Sequence, residues 1–151
     1  MRSGRDMVSP STSLKPGTHL RIARATDNLD EVVRFYRDGL GLEVLDSFED
    51  HDGFDGIMLG RKGLGYHLEF TRKRGHVAGR SPTQDNLLVF YIEDGEALAH
   101  TVARLRAHGH EPVAPENPYW AERGVTFEDP DGWRVVLMNT AGVAARDAGG
   151  G

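Results

Sequence analysis

The feature that most constrains this chain is an internal repeat. A strand-like segment, an amphipathic helix and three further strand-like segments occur twice, at a spacing of about 70 residues. The apolar helix positions i, i+3, i+4 and i+7 are filled in the first copy by Leu29, Val32, Val33 and Tyr36, and in the second by Leu98, Thr101, Val102 and Leu105. One copy alone is too small to bury its own sheet well, so we expect the copies to pack together.

The repeat predicts an α+β fold of two β-α-β-β-β modules. The modules span residues 18–72 and 86–140, with a polar linker at 73–85 and disordered tails at 1–17 and 141–151. The predicted strands are 19–23, 42–48, 54–59 and 64–71 in the first module and 86–92, 124–128 and 133–138 in the second, with a weak strand at 112–113. Asp27 or Asn28 is expected to cap the first helix, which continues to about Leu40, and the second helix follows Asp94.

Composition excludes several classes of function. The chain contains no cysteine, so a disulfide, a thiol nucleophile and a cysteine zinc site are all excluded. Its net charge of -5 argues against binding to nucleic acid, which requires clustered positive charge. No apolar run reaches the roughly 18–20 residues of a membrane span, and the polar start does not resemble a secretion signal. We therefore expect a cytoplasmic protein with neither a nucleic-acid nor a membrane partner.

Three groups of residues resemble a known superfamily. They are NL at 28–29 with RFYRDGLGLEV at 34–44, HLEF at 67–70, and FEDPDGWRVVL at 127–137. Together they resemble the vicinal oxygen chelate superfamily, also called the glyoxalase/bleomycin-resistance/dioxygenase fold. The resemblance implies a curved mixed sheet around a cleft, with the helices on its outer face. It also implies a possible homodimer, with modules that pair within one chain or between two.

Many members of this superfamily hold a divalent metal in the cleft with four residues, two from each module. Alignment with the family pattern puts these positions at Arg21, Glu69, Leu87 and Val136. A divalent cation needs several oxygen or nitrogen donors, and only Glu69 supplies one. The resemblance therefore implies that the usual metal site is absent, and we expect neither a metal nor another cofactor.

Strand alternation gives an inventory of the two sheet faces. One set is expected to pack beneath the helices: Leu20, Ile22, Leu68, Phe70, Leu88, Phe90, Ile92, Val135 and Leu137. The opposite set faces the cleft and forms the candidate ligand-binding site: His19, Arg21, His67, Glu69, Leu87, Val89, Tyr91, Arg134, Val136 and Met138. A cleft with one polar and one apolar wall suits a small organic ligand.

The leading hypothesis is a metal-free protein that binds such a ligand. A planar or aromatic molecule would lie against Tyr91, Leu87 and Met138, and Arg21 or Arg134 would meet an anionic group. An Arg21–Glu69 ion pair would replace the metal as a link between strands.

Alternatives remain open at this stage. The chain could be a lyase, isomerase or dioxygenase that uses a displaced metal site built from His19, His67 and Glu69, or His67 and Glu69 as an acid–base pair. The cleft could also be closed, with Arg21–Glu69 as a purely structural pair. Tyr119 and Trp120 form either a lid over the cleft or part of the core.

Overall fold

A computed structural model describes residues 13–143 of the chain. The seven strands are β1 Leu20–Ala25, β2 Glu43–His51, β3 Phe54–Gly60, β4 Tyr66–Lys73, β5 Leu87–Tyr91, β6 Gly124–Glu128 and β7 Arg134–Met138. The helices are α1 Leu29–Val33, a π-helical segment Arg34–Gly39, α2 Gly95–Ala107 and α3 Tyr119–Glu122. The parts of the predicted tails at 1–12 and 144–151 lie outside the described residues. No helix within the described residues is long and apolar enough to cross a membrane.

The two modules pair their strands in a similar way, which confirms the predicted α+β fold. The first forms a four-stranded sheet in the order β1-β4-β3-β2, and the second a three-stranded sheet in the order β5-β7-β6. In each sheet the first strand of the module pairs in parallel with the last, and the remaining pairs are antiparallel. The two sheets are therefore mixed, as predicted.

The second module lacks a full strand after its helix. The weak strand predicted at 112–113 is reduced to a single antiparallel bridge between Val113 and Thr126. Pro112 has no backbone N–H to donate to a ladder, which limits pairing at this point. The chain between α2 and β6 therefore forms no regular strand and pairs with β6 at this one bridge.

The first helix runs from Leu29 to Gly39, close to the predicted end, but it is not an α-helix throughout. It changes from α1 to the π-helical segment at Arg34, and Leu40 N donates to Phe35 O across five residues. Phe35 and Tyr36 are both completely buried. Both aromatic side chains therefore lie in the interior, in the part of the helix where the turn widens.

Both modules contribute to one hydrophobic core. Val32, Phe35 and Tyr36 from the first helix pack in the same cluster as Leu105 from α2 and Phe127 from β6. A Cβ built on Gly39 would lie 2.6 Å from Leu105 Cδ2, so the two helices approach each other closely there. The modules are therefore joined through their helices as well as by the linker.

Two members of the predicted core are exposed. Leu20 is 56% and Ile22 38% exposed, so the prediction that they pack beneath the helices is wrong. The reason is the position of β1, which pairs only with β4 and forms the open edge of its sheet. The members of the set on β4 and β7, Leu68 and Val135 among them, are buried as predicted.

A buried polar network also joins the modules. The Arg24 guanidinium donates to Asp131 Oδ2 at 2.9 Å and to Asp129 Oδ2 at 2.6 Å. Thr26 Oγ1 donates to Asp131 Oδ2 at 2.6 Å, and Tyr36 OH donates to Asp129 Oδ2 at 2.7 Å. Burial raises the pKa of Asp129, and the positive charge of Arg24 opposes this. The Asp-Pro-Asp-Gly turn is thus a contact between modules as well as a turn.

The helix caps differ between the modules. Asn28 precedes α1 but makes no side-chain cap, because its Nδ2 donates to Asp131 Oδ1 at 2.8 Å instead. Asp94 caps α2 as a standard N-cap, accepting from Glu96 N at 2.9 Å. Asp27 accepts hydrogen bonds from Ala78 N and Gly79 N, so the start of the first helix also holds part of the linker.

Candidate functional site

The candidate residues of the first module lie together on the inner face of its sheet. Parallel pairing places Arg21 opposite His67 and Ala23 opposite Glu69. The Arg21 Nη1 to Glu69 Oε1 distance is 3.6 Å, with side-chain exposures of 50% and 12%. The predicted ion pair is present, but at this distance and exposure it is a weak link between the strands.

His67 has a partner on each ring nitrogen. Arg21 Nε lies 3.0 Å from His67 Nε2, and His19 Nε2 lies 2.6 Å from His67 Nδ1. Since a guanidinium can only donate, we assign His67 Nε2 as the acceptor, and a neutral His67 then donates from Nδ1 to His19. The pKa of His67 is lowered, first by desolvation and then by the positive charge of Arg21.

The candidate residues of the second module are mostly covered. The register pairs Leu87 with Arg134, Val89 with Val136 and Tyr91 with Met138. Arg134, Val136 and Met138 are buried, whereas Leu87 and Val89 are partly buried and Tyr91 is 46% exposed. The inner face is therefore open on the first module and largely closed on the second.

The chain between α2 and β6 provides this cover. Val113 bridges to Thr126, and Ala114 O accepts a 2.7 Å hydrogen bond from Arg134 Nη1. Further along, Trp120 O lies next to Gly124, where an added Cβ would approach it to 2.6 Å. Trp120 is partly buried and Tyr119 is 53% exposed, so neither belongs to the buried core. Of the two predicted roles for this pair, a place in the buried core is wrong, and the lid stays a prediction.

Arg134 is already neutralised by its neighbours. Its Nε and Nη2 lie 3.1 and 2.9 Å from Glu128 Oε2, and its side chain is only 6% exposed. A charge-assisted contact of this kind at a buried position uses most of the capacity of the guanidinium.

The residues present do not fit the divalent metal that the superfamily implies. Arg21, Leu87 and Val136 stand at three of the four positions that the resemblance implies, and they provide no donor for a cation. The fourth, Glu69, faces the Arg21 guanidinium. Among residues 13–143, no group of three or more His, Cys, Asp or Glu side chains could hold a metal ion.

A cavity of about 230 Å³ lies between the two sheets; we call it the seam cavity. Its apolar walls are Ile22, Leu68, Phe70, Leu87, Leu88 and Trp133, and its polar boundary is Arg24, Asn86 and Arg134. The Arg24 guanidinium carbon lies 5.0 Å from the centre of the Phe70 ring and 5.2 Å from that of Trp133. Arg24 therefore closes one end of the cavity and belongs to the network between the modules.

The structure divides the predicted site residues into groups. His19, Arg21, His67 and Glu69 form one cluster, while Leu87 and Arg134 border the seam cavity. Val89 and Tyr91 line a different and wider cavity of about 600 Å³. Sequence reasoning missed Arg24 and Trp133, although one signal was present: Arg24 is a charged residue in register with Leu20 and Ile22 on a face expected to be apolar.

Comparisons with known proteins agree with this architecture. The YycE-like N-terminal domain matches residues 20–71, and the YycE-like C-terminal domain matches residues 85–139. The chain is 46% identical over 127 residues to the uncharacterized protein YycE of Bacillus subtilis strain 168, covering 84% of this chain and 91% of that protein. The crystal structure of a YycE protein of unknown function from Bacillus subtilis superposes with a TM-score of 0.80 at 44% identity, covering 91% of this chain and all 100% of that one.

More distant structures share the fold. Glyoxalase I from Leishmania major superposes with a TM-score of 0.61 at 22% identity, covering 80% of this chain and 84% of that one. TnmS3, an antibiotic binding protein from Streptomyces sp. CB03234, superposes with a TM-score of 0.59 at 21% identity, covering 85% of this chain and 98% of that one. The chain belongs to the YycE-like family, within the vicinal oxygen chelate superfamily.

Proposed function

We propose that this protein binds a small organic molecule without a metal, and that the seam cavity holds the apolar body of the ligand. One observation carries the proposal: the four positions of the superfamily's metal site supply a single carboxylate, already facing Arg21, while an apolar cavity opens at one of those positions. Leu87 belongs both to the four positions and to the cavity wall. Apolar walls with a few polar groups at the boundary are typical of ligand sites.

The size of the cavity limits the ligand. A cavity of roughly 150 Å³ in another protein holds benzene, and the seam cavity measures about 230 Å³. A one-ring or two-ring aromatic body therefore fits. Arg21 is the proposed contact for an anionic group, because the other candidate, Arg134, is neutralised by Glu128. His19, His67 and Glu69 would form the polar rim beside it.

The enzyme alternative has less support. A general base needs a ring nitrogen with a free lone pair. In His67, Nε2 already accepts from Arg21 and Nδ1 faces His19. An acid–base pair of His67 and Glu69 would first have to lose the Arg21 contacts, so binding is the function that the geometry supports best.

The test uses 1-naphthalenemethanol, a neutral two-ring probe, and isothermal titration calorimetry. We expect saturable one-to-one binding and a raised melting temperature, since a ligand of the native state stabilises it. Ala23→Phe, which places a ring at the rim of the seam cavity, should abolish binding. Ala25→Phe is the matched control, because Ala25 is exposed on the same strand but does not line the seam cavity.

Metal content provides the second half of the test. Protein purified without chelator should contain less than stoichiometric zinc, nickel, manganese and iron by plasma mass spectrometry. Stoichiometric metal that disappears in Glu69→Gln would contradict the proposal and favour the enzyme. Equal binding of the probe to Ala23→Phe and Ala25→Phe would show that the seam cavity is not the site.

A further inference from the structure

A second cavity adjoins the seam cavity on the inner side of the second module. It has a volume of about 230 Å³ and lies between the end of the linker and the chain that precedes α3; we call it the loop cavity. Leu87 and Arg134 line both cavities, so the two cavities adjoin at these side chains. The loop cavity is also lined by Gln84, Asp85, Glu116 and Trp120.

The hydrogen bonds around the loop cavity show which of its charged side chains are neutralised by a partner. Arg134 has five N–H donors, and Glu128 and Ala114 O take three of them. The Gln84 amide satisfies its neighbours when its oxygen accepts from Arg134 Nη2 at 3.2 Å and its nitrogen donates to Glu116 Oε2 at 3.0 Å. The arginine is thus neutralised and nearly saturated.

The carboxylates of the loop cavity are not neutralised in this way. Glu116 receives the neutral amide of Gln84, and Asp85 Oδ2 accepts from Thr83 Oγ1 at 2.9 Å, while Asp85 N donates back to the same hydroxyl. Within residues 13–143 neither carboxylate has an arginine, lysine or histidine partner within 4.0 Å. The cavity therefore carries an excess of negative charge.

The loop cavity also has an aromatic wall. Trp120 lines it together with Leu87 and Pro115. Tryptophan is the side chain whose ring face attracts a cation most strongly, and a nearby carboxylate adds to that attraction. Uncompensated carboxylates and an indole around one small space form an environment for an organic ammonium group.

We propose that the loop cavity binds the ammonium end of a ligand whose apolar body lies in the seam cavity. The inference rests on the proposed function, because the two cavities share Leu87 and Arg134 as a common wall. It names the ligand class as amines with a one-ring or two-ring aromatic body. It also opposes the sequence-based expectation that Arg134 meets an anionic group.

The experiment compares two probes that share one body and differ in charge. 1-Naphthylmethylamine is cationic at pH 7, and 1-naphthalenemethanol is its neutral counterpart. We expect the amine to bind at least about tenfold more tightly in calorimetry at low salt, with the advantage shrinking as salt is added. Equal affinities, or tighter binding of the alcohol, would overturn the inference.

Variants locate the effect. Glu116→Gln should remove most of the advantage of the amine and leave binding of the alcohol unchanged. Trp120→Leu should act in the same direction, because it keeps an apolar wall and removes the ring face. Glu122→Gln is the matched control, since Glu122 is exposed on α3 and does not line the loop cavity. Circular dichroism checks that each variant is folded.

The outcomes separate this inference from the proposed function. If the alcohol binds and the amine gains nothing, the charge preference is wrong and the seam cavity stands. If neither probe binds, both proposals fail. If the amine binds more tightly but Glu116→Gln has no effect, the cation site lies elsewhere and the loop cavity is excluded.

Discussion

His67 is the side chain of the inner face whose protonation state is most constrained. Its Nε2 lies 3.0 Å from Arg21 Nε, so a proton added at Nε2 would face a donor that already carries positive charge. Desolvation and the Arg21 charge both lower the pKa of His67 below its ordinary value of 6.5. When the pKa of a base is lower in the folded than in the unfolded protein, its contribution to stability is fully present at a pH above the unfolded-state pKa. That contribution is lost as the pH falls through the folded-state pKa.

Replacing Arg21 therefore should change the titration of His67. We expect Arg21→Gln to raise the pKa of His67 towards 6.5, because one of the causes of its depression is removed. NMR titration of the imidazole nitrogens measures this directly. Arg34→Gln, at an exposed position on the first helix, is the control and should leave the titration unchanged. An unaltered His67 in Arg21→Gln would show that the hydrogen bond is absent in solution.

Arg24 shows how far single residues can be interpreted from sequence. Its place in the alternation of β1 follows from the pattern, and a charge on a face expected to be apolar indicates a buried partner. The identity of that partner does not follow, because Asp129 and Asp131 lie 105 and 107 residues away. Periodicity describes neighbours along the chain and contains no information about such distant contacts.

At the scale of elements, the first helix and α2 pack closely against each other across the two modules. Gly39, at the end of the π-helical segment, leaves no room for a side chain beside Leu105. Leu105 is itself completely buried. Since packed cores tolerate little added volume, this contact fixes how the two helices lie against each other.

Gly39→Ala tests this contact. An added methyl group 2.6 Å from Leu105 Cδ2 forces the buried Leu105 side chain or one of the helices to shift, and we expect a loss of about 1–3 kcal/mol in the free energy of unfolding. Gly65→Ala is the matched control, because a Cβ at Gly65 has nothing within 4 Å. Urea denaturation measures both. A Gly39→Ala protein as stable as Gly65→Ala would mean that the helices are less tightly packed than described.

The elements were largely predictable because each has a local signature. The strand at Gly124–Glu128 begins and ends where predicted, and α2 follows Asp94 as predicted. The change from α-helix to π-helix at Arg34 was not predictable, because the apolar residues have a similar spacing in both kinds of turn. The exposure of Leu20 and Ile22 was missed because alternation shows which residues share a face but not whether anything covers it.

For the molecule as a whole, the two modules are expected to unfold together. They share one hydrophobic core, and the network of Arg24, Asp129 and Asp131 crosses between them. Removing one partner from a buried ionic contact leaves the others without compensation, which costs more than the loss of an exposed ion pair. Asp131 is the centre of this network, since Arg24, Thr26 and Asn28 all donate to it.

Asp131→Ala should therefore cost about 3–5 kcal/mol in the free energy of unfolding. Glu93→Ala, at an exposed position, is the control and should cost less than about 0.5 kcal/mol. Both tryptophans, Trp120 and Trp133, lie in the second module, so their fluorescence follows that module while far-UV circular dichroism follows both. Coincident transitions by the two methods are expected, and separate transitions would show that the modules are independent.

The architecture as a whole was predictable from the repeat, and the candidate site only in part. The cluster of His19, Arg21, His67 and Glu69 follows from pairing within one sheet, which alternation can describe. The seam and loop cavities depend on how the two sheets are placed relative to each other and on where the chain after α2 runs. Neither is determined by a local pattern, so no motif indicated them.

The long separation between Arg24 and its carboxylate partners has a consequence during translation. Arg24 leaves the ribosome 105 residues before Asp129, and at roughly 5–20 residues per second this amounts to a delay of roughly 5–20 s. Throughout that interval the nascent amino-terminal half has the Arg24 guanidinium without its carboxylate partners. Its helix also lacks α2 to pack against until α2 itself emerges. The turn of the final hairpin carries both carboxylates, so it must emerge before the network between the modules can form.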